Sequence, residues 1–314
     1  MKNAVTGYEE FMAQGKLGRH ETFTPRYGWL KKGYDAASKR PDIFRASDAI
    51  EQLGVGKNMV RSIKFWCQAL KVLEDGESGG MAPTELGNSL FRGNEDGGWD
   101  PYLEDMASLW LLHWQLFIPP LDAVNWSFAF NRCNLWSFNI RQLTSVIQDY
   151  AQKHEGLSSL SEKSFERDAS CIIRMYTDVQ SATEWEIECP FTQLHIMRPA
   201  EEPKSVRFNI SPKRNLPALI FAASCFSYMS HYAPGSKTIS IHRLTYDVNS
   251  PGVAFKLPES VVGAYLYEAE KRLDGFKLVD VVGDMQLHCE KEFTALYKDA
   301  LREYYMGRSK NESI

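Results

Sequence analysis

The chain has 314 residues, of which 44% are hydrophobic and 12% aromatic, and its formal net charge is −4 at pH 7. This composition predicts a globular protein of about two domains with a large apolar core. The first residues include Glu9 and Glu10 and form no apolar run, and "MASLWLLHWQLFIPPL" is too short and too polar to span a bilayer. These features disfavour secreted and membrane-spanning classes, so we expect a cytoplasmic protein with no membrane partner.

The cysteines and histidines show no metal-binding spacing. Six cysteines occur without a Cys-x-x-Cys pair, which predicts buried free thiols in a reducing compartment. The seven histidines are scattered, which disfavours a structural zinc site. His113 in "LWLLHW" is predicted to be a core histidine with one hydrogen-bonded nitrogen.

Helical patterns dominate the first seventy residues. "TPRYGWLKKGYDAAS" predicts a helix with Thr24 as N-cap and Pro25 at the first helical position. "SDAIEQL" predicts a short helix capped by Ser47, and Gly54–Gly56 supplies a tight turn. A longer amphipathic helix follows from Lys57 to Lys71. Two helices joined in this way indicate a helix-turn-helix unit.

The outer face of the longer helix is basic and carries an amide, which suits phosphates and base edges. Residues 16–71 contain 12 Lys/Arg and 5 Asp/Glu, a balance of +7 in a chain whose total is −4. We therefore predict that this region binds DNA, although a solvated helix face is the simpler alternative. The predicted DNA-binding residues are Arg26, Lys31, Lys32, Lys57, Asn58, Arg61 and Lys64.

A phosphate-binding loop is the competing interpretation of "GVGKN". That loop requires G-x-x-x-x-G-K-[ST], but Glu51 stands at the position of the first glycine and Asn58 replaces the hydroxyl residue. A carboxylate there would repel phosphates. A nucleotide-using enzyme is therefore disfavoured.

The next segment resembles a wing. "KVLEDGESGGMAPTELGNSLF" predicts a strand, a glycine-rich turn, a returning strand and a short helix near Pro83 to Leu90. With "RGNEDGGWDP" as an exposed boundary, residues 1–95 are predicted to form a winged helix-turn-helix domain, and residues 96–314 a helical C-terminal domain.

The second part of the chain is predicted to be mainly helical, so the fold class is mainly α with small β-hairpins. "TISIHRLTYDV" predicts a strand, and "FKLVDVVGDMQLHCE" predicts a hairpin that turns at Gly283-Asp284. Strand, helix and hairpin in this order indicate a second winged-helix-like unit near residues 238–290. The predicted helical segments are "YLEDMASLWLLHWQLF", "LWSFNIRQLTSVIQDYAQKH", "EKSFERDASCIIRMYT" with Ser161 as N-cap, "LPALIFAASCFSYMSHY" and "SVVGAYLYEAEKRLD".

Two segments contain candidate catalytic side chains. "RHETFTPR" brings His20, a possible general base, and Glu21, a carboxylate, beside two arginines, although a polar cap that anchors the N-terminal arm is favoured. "SFERDAS" places Asp168 near the apolar helix face of Cys171 and Ile172. A carboxylate in that position is either paired with an arginine or functional.

Several ordered blocks carry a family resemblance. "GRHETFTPRYGWLKKGYD", "LGVGKNMVRSIKFWCQAL", "DPYLEDMASLWLLHWQLF", "FNISPKRNLP" and "SPGVAFKLPE" resemble the SspB-type proteins of bacterial DNA phosphorothioation defence operons, from about residue 18 to about residue 305. The resemblance implies a DNA nickase that acts in anti-phage defence beside a cysteine desulfurase and sulfur-handling ATP enzymes.

The residues themselves show no standard nuclease motif. Taking the resemblance together with the two polar segments, we predict His20, Glu21 and Asp168 as catalytic residues. Glu21 and Asp168 are also the predicted ligands of Mg or Mn, since metal-assisted hydrolysis is the usual route to phosphodiester cleavage. A non-catalytic DNA-binding subunit or transcription regulator that recruits sulfur-transfer enzymes is the alternative.

Overall fold

The computed structural model describes residues 18–93, 97–153, 161–177 and 189–311, which are mainly helical with small antiparallel sheets, as predicted. The α-helices are α1 (Trp29–Lys39), α2 (Ala49–Leu53), α3 (Lys57–Ala69), α4 (Glu85–Phe91), α5 (Met106–Trp114), α6 (Val124–Arg132), α7 (Ile140–Ala151), α8 (Glu162–Tyr176), α9 (Ala218–Tyr232), α10 (Ile241–Tyr246), α11 (Pro251–Phe255), α12 (Glu259–Glu270) and α13 (Phe293–Asn311). The strands are β1 (Leu73–Asp75), β2 (Met81–Pro83), β3 (Met197–Pro199), β4 (Val206–Phe208), β5 (Thr238–Ser240), β6 (Phe276–Val281) and β7 (Asp284–Cys289).

Two predicted helix starts in the first seventy residues are wrong, and further along α5 begins at Met106 rather than Tyr102 and α7 at Ile140 rather than Leu135. Helix α1 begins at Trp29 and not at Pro25, because Gly28 immediately before it has a left-handed φ of 77°. Helix α2 begins at Ala49 after Asp48, because the turn from the preceding 3₁₀ segment continues beyond Ser47. The helices themselves form where the apolar spacing predicted them.

The turn between α2 and α3 is confirmed. Gly54 ends α2 with a φ of 61°, a conformation that favours glycine. Val55 packs against the small apolar cluster of Ala49, Leu53 and Val60, and so fixes the angle between the two helices.

Helices α1 and α3 cross in close contact at Gly33. A Cβ atom added there would lie 2.4 Å from Cys67 Sγ and 3.0 Å from Ile63 Cγ2. The absence of a side chain therefore lets α1 lie directly on α3, which holds the outer face of α3 in a defined orientation.

The three sheets are small and antiparallel: β1 pairs with β2, β3 with β4, and the third sheet has the order β5-β7-β6. Only Thr238–Ser240 of "TISIHRLTYDV" is a strand, because the Ser240 side chain accepts a hydrogen bond from Arg243 N and starts α10. The last hairpin turns one residue earlier than predicted, at Val282-Gly283.

One apolar core extends from α1 to α13. Trp66 of α3 packs edge-on against Trp126 of α6, with ring centroids 5.4 Å apart. Helices α5 and α9 are buried on nearly all sides and form the centre of this core.

Two predicted features lie outside the described residues. They are the domain boundary between residues 95 and 96 and the end of one predicted helix at His154.

His113 lies within the core with both ring nitrogens hydrogen-bonded, rather than one as predicted. Its Nδ1 is 2.8 Å from Tyr176 Oη, and its Nε2 is 2.9 Å from the Ala254 carbonyl oxygen. Burial lowers the pKa of His113 to about 3, so the ring is neutral. Nε2 then donates to the carbonyl and Nδ1 accepts from the tyrosine.

No helix in the described ranges is both long and apolar enough to cross a bilayer.

Candidate nucleic-acid interface and the buried histidine behind it

The exposed side of α3 borders a cavity of about 310 Å³. Lys57 and Asn58 are exposed in the first turn of α3, and Arg61 is exposed one turn further along. Lys64 follows at the next turn and is half-buried. The cavity is lined by Gly18, Arg19, Glu21, Phe44, Val60, Arg61, Lys64, Phe65, Gln68 and Asp122.

Two carboxylates in this cavity face cations. Glu21 Oε1 lies 3.5 Å from Arg61 Nη1, and Asp122 Oδ2 lies 3.1 Å from Lys71 Nζ. The structure thus brings together Glu21, Arg61 and Lys64 of the predicted site. Asp122 was not among the predicted residues, because it follows a proline-rich loop and shows no motif.

The predicted DNA-binding residues of the α1 region lie elsewhere. Lys31 and Lys32 line a second cavity of about 630 Å³, together with Tyr102. Lys31 Nζ is 2.6 Å from Asp35, and Lys32 Nζ donates to the Leu53 carbonyl at 2.8 Å. Arg26 lies over the rings of Phe23 and Trp29, 5.4 Å from each centroid. These three cations therefore have local partners and do not border the α3 cavity.

His20 lies directly behind the cavity and is buried, with 1% of its surface exposed. Its Nε2 is 2.7 Å from Asp168 Oδ1 on α8. Asp168 Oδ2 accepts hydrogen bonds from Asn125 Nδ2 at 2.7 Å and from the Gly18 amide at 3.3 Å. The partner of Asp168 is therefore a histidine, and the prediction of an arginine is wrong.

The His20–Asp168 contact is an ion pair. Burial lowers the pKa of His20, but interactions with Cys171 and Asp168 outweigh burial and raise it to about 10. The rings of Phe65, Trp66 and Trp126 surround the imidazole, with centroids 5.9 to 6.3 Å away. The pair thus anchors the segment that carries Glu21 to α6 and α8.

Asn125 is the residue of this cluster that sequence reasoning missed. It lies in α6, in the run "VNWSFAF", where it is one of two polar residues among buried apolar neighbours. An amide in such a run needs a hydrogen-bonding partner, and this is the signal that could have identified it.

Comparison with models of known families shows which family the chain belongs to. A family model described as a protein of unknown function, DUF4007, matches residues 17–305. The chain belongs to the DUF4007 family. Two solved structures are similar to this DUF4007 chain: an SspB crystal structure with 33% identity and a TM-score of 0.87, and a magnesium ion-bound SspB crystal structure with 32% identity and a TM-score of 0.86.

Both comparisons cover 94% of this chain and 90% of the solved chain. The resemblance to SspB-type proteins seen in the sequence is confirmed. No curated protein matches the chain significantly.

The magnesium-bound SspB structure raises the question of whether this DUF4007 chain could hold a metal. Within the described ranges, no group of three or more His, Cys, Asp or Glu side chains is arranged to bind a metal ion. Both Asp168 oxygens already accept hydrogen bonds, and Glu21 faces Arg61. A metal bound by Glu21 and Asp168 would have to displace these partners, so the geometry does not fit that ion and no chemical step is assigned to it.

Proposed function

We propose that this DUF4007 protein is the DNA-binding and DNA-nicking component of a bacterial DNA phosphorothioation system. The observation that carries the proposal is the similarity to SspB over nearly the whole chain. In such a system the protein would act beside a cysteine desulfurase and sulfur-handling ATP enzymes. The cytoplasm is the expected compartment, since the DNA substrate is there.

DNA binding is proposed for the α2–turn–α3 unit. The exposed Lys57, Asn58 and Arg61 lie on the first two turns of α3, and the antiparallel β1–β2 hairpin follows α3 in the chain, which supports the proposal of a wing. Such a helix can enter the major groove while neighbouring cations hold phosphates.

The strand order β5-β7-β6 with α10 to α12 inserted after β5 also suits a winged-helix-like unit. Helix α12 begins with Glu259 and ends with Glu270. Carboxylates at both ends of a helix oppose approach to phosphates. We therefore assign DNA reading to α3 and not to α12.

Nicking is proposed at the α3 cavity. DNA bound along α3 would bring a phosphodiester to Arg61 and Lys64, whose charges can stabilise the transition state. Glu21, which lines the same cavity, is the candidate general base. His20 and Asp168, predicted as catalytic, lie beneath it and act in this proposal as positioning residues.

Binding to duplex DNA tests whether α3 is the helix that contacts DNA. The double variant Arg61→Ala/Lys64→Ala should bind duplex DNA at least about 10-fold more weakly in a mobility-shift assay, since each lost phosphate contact weakens binding. The matched control is Lys277→Ala/Lys298→Ala, which removes the same charge from lysines that face Glu290 and Glu85. Equal affinities for the two double variants would refute the role of α3.

Nicking is tested on supercoiled plasmid with Mg²⁺, with Mn²⁺ and with a chelator. Equal product in all three would agree with a site in which Glu21 and Asp168 hold no metal. Glu21→Gln should abolish the open-circular product because it removes the candidate base. It also removes the carboxylate that faces Arg61, so DNA binding should not weaken. Glu51→Gln, an exposed carboxylate on α2, is the control. A wild-type protein that binds DNA but never nicks would instead favour the non-catalytic DNA-binding subunit or regulator.

A further inference from the structure

Trp136 is the most exposed tryptophan among the described residues, with 80% of its surface accessible. It is nevertheless held in place. Two residues on, Phe138 forms an isolated β-bridge with Val206 of β4, with both backbone N–H to O distances at 2.8 Å. The guanidinium carbon of Arg207 lies 5.3 Å from the Trp136 ring centroid. The Trp136 ring thus lies against the β3–β4 hairpin with one side open to solvent.

The same hairpin concentrates positive charge. Arg198 of β3 is directly opposite Arg207 of β4, so both side chains project from one face of the sheet. Like charges in this position repel. Within the described ranges neither arginine forms a salt bridge, and Arg207 Nε is buried without a hydrogen-bond partner. Glu201 and Glu202, in the loop of the same hairpin, are exposed, and among the described residues neither forms a salt bridge with these arginines.

Lys213 adds a third cation behind the hairpin. It is buried, with 3% of its surface exposed, and its ammonium donates to the carbonyl oxygens of Asn209 and Ser211. Burial and the charge of Arg198 lower the pKa of Lys213 to about 8. Arg198 therefore repels both Arg207 and Lys213, and only Arg207 lies over the open Trp136 ring. An anionic ligand at the hairpin would relieve this repulsion.

We propose that Trp136, Arg198 and Arg207, here termed the Trp136 platform, form a second nucleic-acid site, which stacks one unpaired base and binds the phosphates of a single DNA strand. Lys213 lies behind this platform and adds to its positive charge. A flat ring with an adjacent arginine is typical of single-strand binding, because every base has a π-face and the backbone supplies the anions. A base inside an intact duplex cannot stack on such a ring, whereas a nicked or locally opened duplex presents one that can.

This inference rests on the proposed function for the identity of the ligand as DNA. It is independent of α3, because none of its residues lines the α3 cavity. It predicts two separable surfaces, one that binds duplex through α3 and one that captures the strand released when the duplex opens.

The test measures fluorescence anisotropy of a labelled single strand of about 15 nucleotides, a length within the usual span of single-strand sites. Trp136→Ala should weaken binding between about 5- and 150-fold, which corresponds to the ~1–3 kcal/mol that stacking contributes per base. Trp136→Phe keeps a ring and should restore most of the affinity. Tyr267→Ala is the control, since Tyr267 is 56% exposed and also has a cation, Lys271, over its ring at 4.4 Å.

The dependence of single-strand affinity on salt concentration tests the phosphate contacts. Arg198→Gln/Arg207→Gln should reduce the slope of log affinity against log salt by about 1.4, at about 0.7 for each phosphate contact on a single strand. The control is Arg243→Gln/Arg272→Gln, whose arginines already face Asp247 and Glu303.

The outcomes separate this site from the α3 proposal. If the platform variants bind the single strand like the wild type, while Arg61→Ala/Lys64→Ala loses duplex binding, the platform is refuted and the proposed function stands. If the wild type binds neither duplex nor single strand, both are refuted. A ribonucleotide strand bound more than about 10-fold tighter than DNA would make RNA the ligand and overturn the assignment to DNA, since the 2′-hydroxyl would then be recognised.

Discussion

Replacing Asp168 by asparagine tests whether the buried His20–Asp168 ion pair stabilises the fold. Raising the His20 pKa from 6.5 to about 10 corresponds to about 5 kcal/mol at most, at about 1.4 kcal/mol for each unit. Cys171 contributes to this rise before Asp168 does, so Asp168→Asn removes only part of it. Breaking a buried pair by removing one partner typically costs ~3–5 kcal/mol. We therefore expect Asp168→Asn to lower the free energy of unfolding by about 3–5 kcal/mol near neutral pH, as measured by urea denaturation.

The pH dependence of the same experiment distinguishes an ion pair from a neutral hydrogen bond. The folded-state pKa of His20 lies above its unfolded value, so its contribution is fully present below about pH 6.5 and is lost as the pH rises through about 10. The stability difference between wild type and Asp168→Asn should therefore shrink over this range, by the part of the pKa shift that Asp168 causes. Asp35→Asn, which breaks the half-buried pair of neighbouring helical residues Lys31 and Asp35, is the control and should cost less than about 1 kcal/mol. Parallel pH curves for wild type and Asp168→Asn would refute the ion pair.

Three further predictions concern the contact between α1 and α3, the half-buried Lys256 and the binding of duplex DNA. Gly33→Ala should lower the free energy of unfolding by ~1–3 kcal/mol, because its Cβ would lie 2.4 Å from Cys67 Sγ, and this loss exceeds the gain in helix propensity. Adding Cys67→Ala to that variant should restore part of the loss. An unchanged urea midpoint for Gly33→Ala would contradict the close contact. Burial lowers the pKa of Lys256 to about 7, so wild-type stability relative to Lys256→Met should increase as pH rises from about 7 to 10.5; a melting-temperature difference that is constant with pH would contradict this. Duplex affinity should fall with salt at a log–log slope of roughly −4 to −5 if about four to six cations contact phosphates, and a slope near zero would mean that the basic region is only a solvated surface.

The local chemistry of the sequence predicted the elements that depend on a few neighbouring residues. Gly54–Gly56 placed the turn before α3, and Ser161 marked the start of α8. The last hairpin was located to within one residue because Gly283 takes the positive φ that its turn requires. In each case the decisive interaction lies within the segment itself.

Interactions between distant segments were not predictable in the same way. His20 and Asp168 are 148 residues apart, and nothing in either segment indicates the other as its partner. Helix α6 was missed because nearly all of its residues are buried, so the sequence shows no polar face. The strand predicted from "TISIHRLTYDV" ends early because a serine hydroxyl caps a helix, and β-propensity cannot anticipate that competition.

The edge-on contact between Trp66 and Trp126, together with the His20–Asp168 pair, has a consequence for synthesis on the ribosome. The partners of α3 and of the His20 segment are about 60 to 150 residues further along the chain. At a synthesis rate of ~5–20 residues per second, roughly 100 residues correspond to a delay of about 5–20 s. During that interval Trp66 and the apolar side of α3 lack their final cover. The nascent chain should therefore bind a ribosome-associated chaperone until α6 and α8 have emerged.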